Sequence, residues 1–415
     1  MEMENRNQSI MSFSSTKLGR SLSGKGQLDC STSVFLNAVR FLAALTVFLG
    51  HLSGRRFTGG LLWPLAAFMD TAVIIFFVLS GFVIAYVTED HERDLQTYAI
   101  NRIARIYSVA LPALILALIL DSVGRYLRPE LYSATWGFSS QGIWLQYLTS
   151  AVFVQRIWWN EITPGSILPY WSLGYEVWYY VIFAILYYAT GTWRVVLGLV
   201  ACFCAGPNIL SLFPIWLLGF ATYRVSKGAA LPKGAAGSII VATALLLGVL
   251  MYLASQGFSL PRLLVTRYLV AIVFALNILA VRQFSFSPSV LRMIERPVGW
   301  LAGMTFSLYL FHLPVAQFLS VILPWPPQAM PARVAIFGGT FLLIVALAEL
   351  TERKKGAWRN GVAVLYGAIS SVIFPRGGAK ELLAASGAPD QKSVPALEAQ
   401  LDAGESFCEP PAVIG

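Results

Sequence analysis

Between residues 33 and 353 the chain repeats one pattern: solid apolar runs, many of them about 20 residues long and able to cross a bilayer, separated by short polar segments. The stretch 234–261 holds no charged residue, and 297–332 holds one histidine and no Asp, Glu, Lys or Arg. The runs are continuous rather than alternating, which predicts helices and argues against a β-barrel. They divide into ten spans: 33–52, 63–87, 104–123, 169–190, 194–206, 212–225, 236–256, 261–281, 298–322 and 331–351. The irregular region is 195–223, which has no charge and is broken by Gly206-Pro207-Asn208. It is short for two full spans and long for one, so it reads as two short spans or a hairpin. Two other apolar pieces fall short of a crossing. Residues 139–157 form an interfacial segment on the outer side, and 361–374 lie on the inner surface.

The expected fold is therefore all-α, a polytopic membrane helix bundle of about ten spans. Its parts are a polar cytoplasmic tail at 1–32, a transmembrane domain at 33–353 and a cytoplasmic segment at 354–415. Residues 376–415, rich in Ala, Pro and Glu, are expected to be disordered. Composition agrees: 57% of the residues are hydrophobic and 12% charged, about half the charge of a soluble domain. The N-terminal residues contain no apolar core of a cleaved signal.

The net charge of +9 raises the question of nucleic acid, but the distribution answers it. No basic stripe with interleaved aromatics occurs. The basic residues sit between spans, 21 Lys/Arg on one side and eight on the other, with Arg40 inside a span. That bias puts both termini in the cytoplasm. Cys202 and Cys204 lie in an apolar run and read as packing residues rather than a redox pair, and no disulfide framework or zinc spacing is visible among the four cysteines, Cys30, Cys202, Cys204 and Cys408.

Ionisable residues within such spans are costly and mark sites. Arg40 and His51 are eleven residues apart in the first run. Eleven steps of 100° make three turns plus about 20°, so both lie on one helix face, about 16 Å apart along the axis. Arg102 and Arg105 share a face at the inner mouth of the third span. Taken alone they read as topological anchors, while the alternative is a phosphate clamp, since guanidinium forks match phosphate oxygens. Ser80-Gly81, in FFVLSGF, fits close helix packing. Asp70 either pairs with a base or sits at the outer interface. Glu176 falls about 10 Å into the fourth span, among belt aromatics that do not account for an acid. His312, counted from residue 298, stands roughly 21 Å up the ninth span. His51, Glu176 and His312 thus group in the outer half, and the three arginines in the inner half. His91 lies in a charged loop and is expected to be solvated.

Arg40-x10-His51, FFVLSGF at 76–82, Arg102-x-x-Arg105, WSLGYE ending at Glu176 and SLYLFH ending at His312 occur in this order. With them the chain resembles the acyltransferase 3 family, integral membrane acyltransferases of surface polysaccharides and some small molecules. The resemblance covers roughly residues 33–353. It departs at Ile74, where many members carry an acid, and at Ser108, where a proline is frequent. It implies an inner-membrane enzyme that uses acyl-CoA, usually acetyl-CoA, and a hydroxyl acceptor on a glycan or lipid-linked sugar. Arg40, Arg102, Arg105 and Ser80 are then expected at the donor. His51, Glu176 and His312 are expected to carry the chemistry. His51 would act as general base, Glu176 would orient an imidazole or bind acceptor, and His312 would be a second base or a donor to the oxyanion. No metal spacing and no GxSxG elbow is present. Competing readings are acylation of a cytoplasmic small molecule such as an antibiotic sugar, a proton-coupled transporter, or a scaffold subunit of an export complex.

Overall fold

A computed structural model describes residues 28–132, 138–139, 141–228, 232–255 and 263–373. The tail at 1–27 and the segment 376–415 expected to be disordered lie outside the described residues. Eleven principal helices carry the fold. They are α1 (Cys30–Leu52), α2 (Met69–Asp90), α3 (Leu95–Leu127), α4 (Tyr170–Tyr188), α5 (Gly191–Ser226), α6 (Lys233–Ser255), α7 (Leu263–Val281), α8 (Pro288–Ala302), α9 (Thr305–Ile322), α10 (Thr340–Leu350) and α11 (Lys355–Ile373). Among the described residues there is no strand. The end of the bundle where α1 begins is here the near end, and the end where it stops is the far end.

Among the described residues, eight helices are long and apolar enough to cross a membrane. The two differences from the ten expected spans have clear causes. Helix α4 is outside the eight because its run of Tyr and Trp, with Glu176 among them, lowers its mean hydropathy. The region 195–223 falls in α5, which is two helical arms joined at Gly206, where φ is 79° and ψ 173°, and it counts once among the eight. That left-handed backbone, which glycine adopts without strain, redirects the chain. Trp158, in the connection before α4, donates its backbone N–H to the Ala205 carbonyl at 3.1 Å.

The run 298–322 is not one span. It breaks at Gly303-Met304 between α8 and α9. Thr305, not residue 298, opens the helix of His312, so His312 stands about 10 Å along it instead of 21. The break is held by charge. Glu352 accepts the backbone N–H of Phe306 at 3.2 Å and of Ser307 at 2.8 Å. A carboxylate there satisfies donors that a helix start leaves open and complements its dipole. Arg40 donates to the Ala302 carbonyl at 2.8 Å, at the end of α8.

Helices α2 and α5 pack closely through glycine. A Cβ on Gly81 would lie 1.9 Å from the Trp216 carbonyl oxygen, and one on Gly219 would lie 2.0 Å from that of Val78. The small-residue reading of Ser80-Gly81 therefore holds for Gly81. Asp70 pairs with Arg267 through two nitrogens, the shortest contact being 2.6 Å. In the outer segment, helix Ile143–Ala151 exposes Trp144, Leu145 and Leu148 and buries Gln146, Tyr147 and Ser150, an interfacial pattern. Helix α11 likewise exposes Val364, Leu365 and Ile369 while packing along α3.

Candidate active site

Helix α1 brings His51 to α9, one turn beyond Tyr309 and beside His312. His51 Nδ1 lies 3.0 Å from His312 Nε2, and His312 Nδ1 lies 2.8 Å from the Leu308 carbonyl oxygen. His312 is fully buried, with the Phe48 ring edge against it. The Leu308 carbonyl only accepts, so His312 Nδ1 carries the hydrogen. In the neutral ring Nε2 is then bare and accepts from His51 Nδ1–H. One tautomer assignment follows for the pair, and it leaves His51 Nε2 with its lone pair free of the other imidazole. His312 spends both nitrogens on this chain, so it is placed to orient and support His51 rather than to donate to an oxyanion.

Glu176 stands elsewhere. Its Oε1 accepts from Ser80 Oγ at 2.7 Å and from the Tyr180 hydroxyl at 2.5 Å. Ser80 also accepts from Trp216 Nε1 at 3.1 Å. This cluster borders a middle cavity of about 100 Å³ that Arg40, Arg102, Arg105 and Tyr309 also line. The expectation that Glu176 orients an imidazole is thus not met by its geometry, since no histidine lines this cavity. The α2 residues on its wall run from Val73 to Ile84, about 16 Å of helix. Most of that wall is apolar.

The middle cavity adjoins a near cavity of about 230 Å³, the two sharing Arg40, Val83, Arg102 and Arg105. Arg102 is bound to Glu92 at 2.5 Å and lies over the Tyr98 and Tyr180 rings. Arg105, three residues on, reaches no hydrogen-bond partner among the described residues and faces both cavities. The clamp reading of the arginine pair therefore rests mainly on Arg105, with Arg102 largely neutralised.

On the other side of the histidine pair lies a far cavity of about 170 Å³, lined by His51, Arg56, Ser166 and Gln317 among others. Arg56 and Gln317 both donate to the Leu131 carbonyl, at 2.6 and 3.0 Å. Burial lowers the Arg56 guanidinium to about 10, with Tyr132 and Asp121 opposing, so it stays protonated at neutral pH. Behind this wall, Asp121 accepts the Ser166 N–H at 2.8 Å, and its Oδ1 is buried without a hydrogen-bond partner among the described residues.

Sequence reasoning missed Tyr180, Tyr309, Trp216, Arg56 and Gln317. Aromatics in a membrane chain carry no signal that separates a belt from a site, and Gln317 is uncharged. Arg56 is visible in the sequence only as a loop cation. No group of three or more metal-ligating side chains occurs among the described residues.

A family model described as an acyltransferase domain matches residues 33–349, and the chain belongs to that family. It is similar to the acyltransferase MdmB of Streptomyces mycarofaciens, 28% identical over 193 residues, which is 43% of this chain and 47% of that protein. The chain thus matches about half the length of that relative. No solved structure matches.

Proposed function

We propose that this membrane acyltransferase moves an acyl group, acetyl in the simplest case, from acyl-CoA to a hydroxyl of a cell-surface polysaccharide or lipid-linked sugar. The near end would face the cytoplasm, where acyl-CoA is made, in the cytoplasmic membrane. The observation that carries the reading is the hydrogen-bonded His51–His312–Leu308 chain, whose His51 lines the far cavity, in a fold that also holds a cationic near cavity.

Arg40 and Arg105 suit the donor's phosphates, and the apolar middle cavity suits its uncharged pantetheine arm. The acceptor hydroxyl would enter from the far cavity. As its oxygen attacks the thioester carbonyl carbon, its proton passes to His51 Nε2. The positive charge is shared through Nδ1–H with His312, whose own Nδ1–H is held by Leu308. The tetrahedral intermediate then collapses, the C–S bond breaks, and the electron pair leaves on sulfur. The proton on His51 passes to that thiolate, so free CoA thiol and an ester are the products. Glu176, Ser80 and Tyr180 form the polar wall along the donor's path and are read as donor-positioning residues.

The test uses the purified chain in lipid nanodiscs with acetyl-CoA and thiol release as readout. It is joined to mass spectrometry of surface glycans from cells with and without the gene. Loss of one ester-linked acyl group from a glycan is the expected result. An unchanged glycan, with the acyl group found instead on a soluble cytoplasmic product, overturns the acceptor assignment.

A further inference from the structure

Beside the far cavity lies an outer cavity of about 350 Å³, and the two share Arg56 and Phe57. Its other walls come from Arg128 and Leu131, just past α3, and from the end of α9 with the segment that follows it. Trp325 of that segment stands on the wall and is 46% exposed.

The segment that carries Trp325 is stiff. It reads Leu323-Pro324-Trp325-Pro326-Pro327, and each proline fixes its own φ and narrows the backbone of the residue before it. The chain on either side of the short helix Arg55–Thr58 holds it in place. Arg333 Nε donates to the Thr58 carbonyl at 3.0 Å. Gly59, at φ 66°, lies so close to Gln328 that a Cβ there would meet its Cγ at 2.7 Å. An aromatic ring presented on so rigid a loop loses little conformational entropy when a ligand covers it.

Size points to an occupant of both cavities. Small-molecule sites run from about 300 to 1,000 Å³, so the far cavity, at about 170 Å³, is small for a whole ligand, and the two together are not. The chemistry narrows the class. Ser166 and Gln317 on one side, and Arg128 and Ser320 on the other, bring hydrogen-bonding side chains to walls that also hold an exposed indole. A sugar ring matches that mixture. Its hydroxyls lie around the rim, and the partly positive C–H groups on its face complement the negative face of an aromatic ring. A wholly apolar ligand would leave the polar groups without partners.

We propose that the outer cavity is a second saccharide subsite, in which Trp325 stacks on the sugar next to the one whose hydroxyl faces His51. This rests on the glycan-acceptor reading above, and it makes the acceptor at least a disaccharide. A tryptophan that only anchors the chain at the membrane interface is indifferent to acceptor length.

The experiment uses the full chain in nanodiscs with acetyl-CoA. The acceptor probe is surface glycan from cells lacking the gene, released and sized into a monosaccharide fraction and oligosaccharide fractions. Wild type, Trp325→Ala, Trp325→Leu, Trp325→Phe and, as a membrane-belt control, Trp144→Ala are compared, with thermal melting to report folding. The wild type should have a lower KM for oligosaccharide than for monosaccharide. Trp325→Ala should raise the oligosaccharide KM by about five- to tenfold and leave the monosaccharide KM, the donor KM and kcat unchanged. Trp325→Leu keeps an apolar side chain without a ring and should lose as much, while Trp325→Phe should lose less. Trp144→Ala should match the wild type. A wild type with no preference for the longer acceptor overturns the subsite alone. So does a folded Trp325→Leu protein with unchanged oligosaccharide KM, or a Trp144→Ala protein with the same loss. A wild type that acylates no glycan fraction overturns the acceptor reading and the subsite with it.

Discussion

At the scale of single residues, the proposed mechanism gives the two histidines different jobs, so they should fail differently. His51→Ala should lower turnover by roughly 10² to 10⁴, the usual cost of removing a general base, with membrane insertion and CoA binding intact. Near-normal turnover in a quantified, folded preparation removes His51 from that role. His312 acts through His51, so its variants should be graded by what they offer His51 Nδ1–H. His312→Gln keeps an acceptor oxygen and should retain more turnover than His312→Leu, while the KM for donor stays similar in both. Equal losses in the two variants would mean that His312 only fills space. Glu176→Gln should keep size but lose charge, and activity per folded molecule should drop as the Ser80 and Tyr180 hydroxyls lose a carboxylate acceptor. Wild-type specific activity in that variant takes Glu176 out of the site. How much of this is legible in the sequence varies by residue. Arg40 and His51 announce themselves because two ionisable groups on one face of an apolar run are too costly to be packing residues. The partnership of His51 with His312 spans 261 positions, and periodicity along one helix says nothing about which second helix it meets. Glu176 is visible as a site residue, but its company is not, because Tyr180 and Ser80 look like ordinary belt and packing residues.

At the scale of elements, spans are legible wherever an apolar run ends in charge, and are misread where the ending is made by backbone. The run 298–322 hides the α8–α9 break because Gly303 and Met304 are as apolar as their neighbours, and the carboxylate that caps α9 comes from Glu352, far along the chain. Glu352→Ala should therefore loosen the start of α9 and with it the placement of Tyr309 and His312. Loss of such a cap costs about 0.5–2 kcal/mol, read as a lowered melting temperature with a parallel fall in turnover. The contact of α2 with α5 is more demanding. A methyl group at Gly81 or Gly219 meets a backbone carbonyl, which cannot rotate away as a side chain can. Gly81→Ala should cost about 1–3 kcal/mol or prevent assembly, and it should displace Ser80 from Glu176. A Gly81→Ala protein with unchanged melting temperature would show that the two helices can separate without loss.

At the scale of the whole molecule, the side on which each terminus lies depends on one bend. If α5 crossed once, the helix order would leave the two ends of the chain on opposite sides. The contacts of α5 argue that it turns back. Its start follows α4, whose last residue, Tyr188, donates to the Glu92 carbonyl in the connection between α2 and α3. Its middle, at Ala205 and Gly206, meets Trp158 in the opposite set of connections. Its end returns, with Lys227 on Glu89 at 2.6 Å, beside the last turn of α2. Two arms therefore run near to far and far to near. This is the reading that the charges favour, since Arg194 and Arg224 flank α5 on the side of the 21 Lys/Arg. Reporter fusions at residues 26 and 380 should both report cytoplasm, and one at Asn208 should report the opposite face. A cytoplasmic signal at Asn208, or an extracytoplasmic one at residue 380, would make α5 a single crossing. Gly206→Val tests the same bend from within. At φ 79°, with a Trp158 backbone atom 2.6 Å from where a Cβ would lie, no β-branched residue fits. The variant should lose assembly or activity, and an active, correctly inserted Gly206→Val protein would show that the return of α5 does not depend on that backbone.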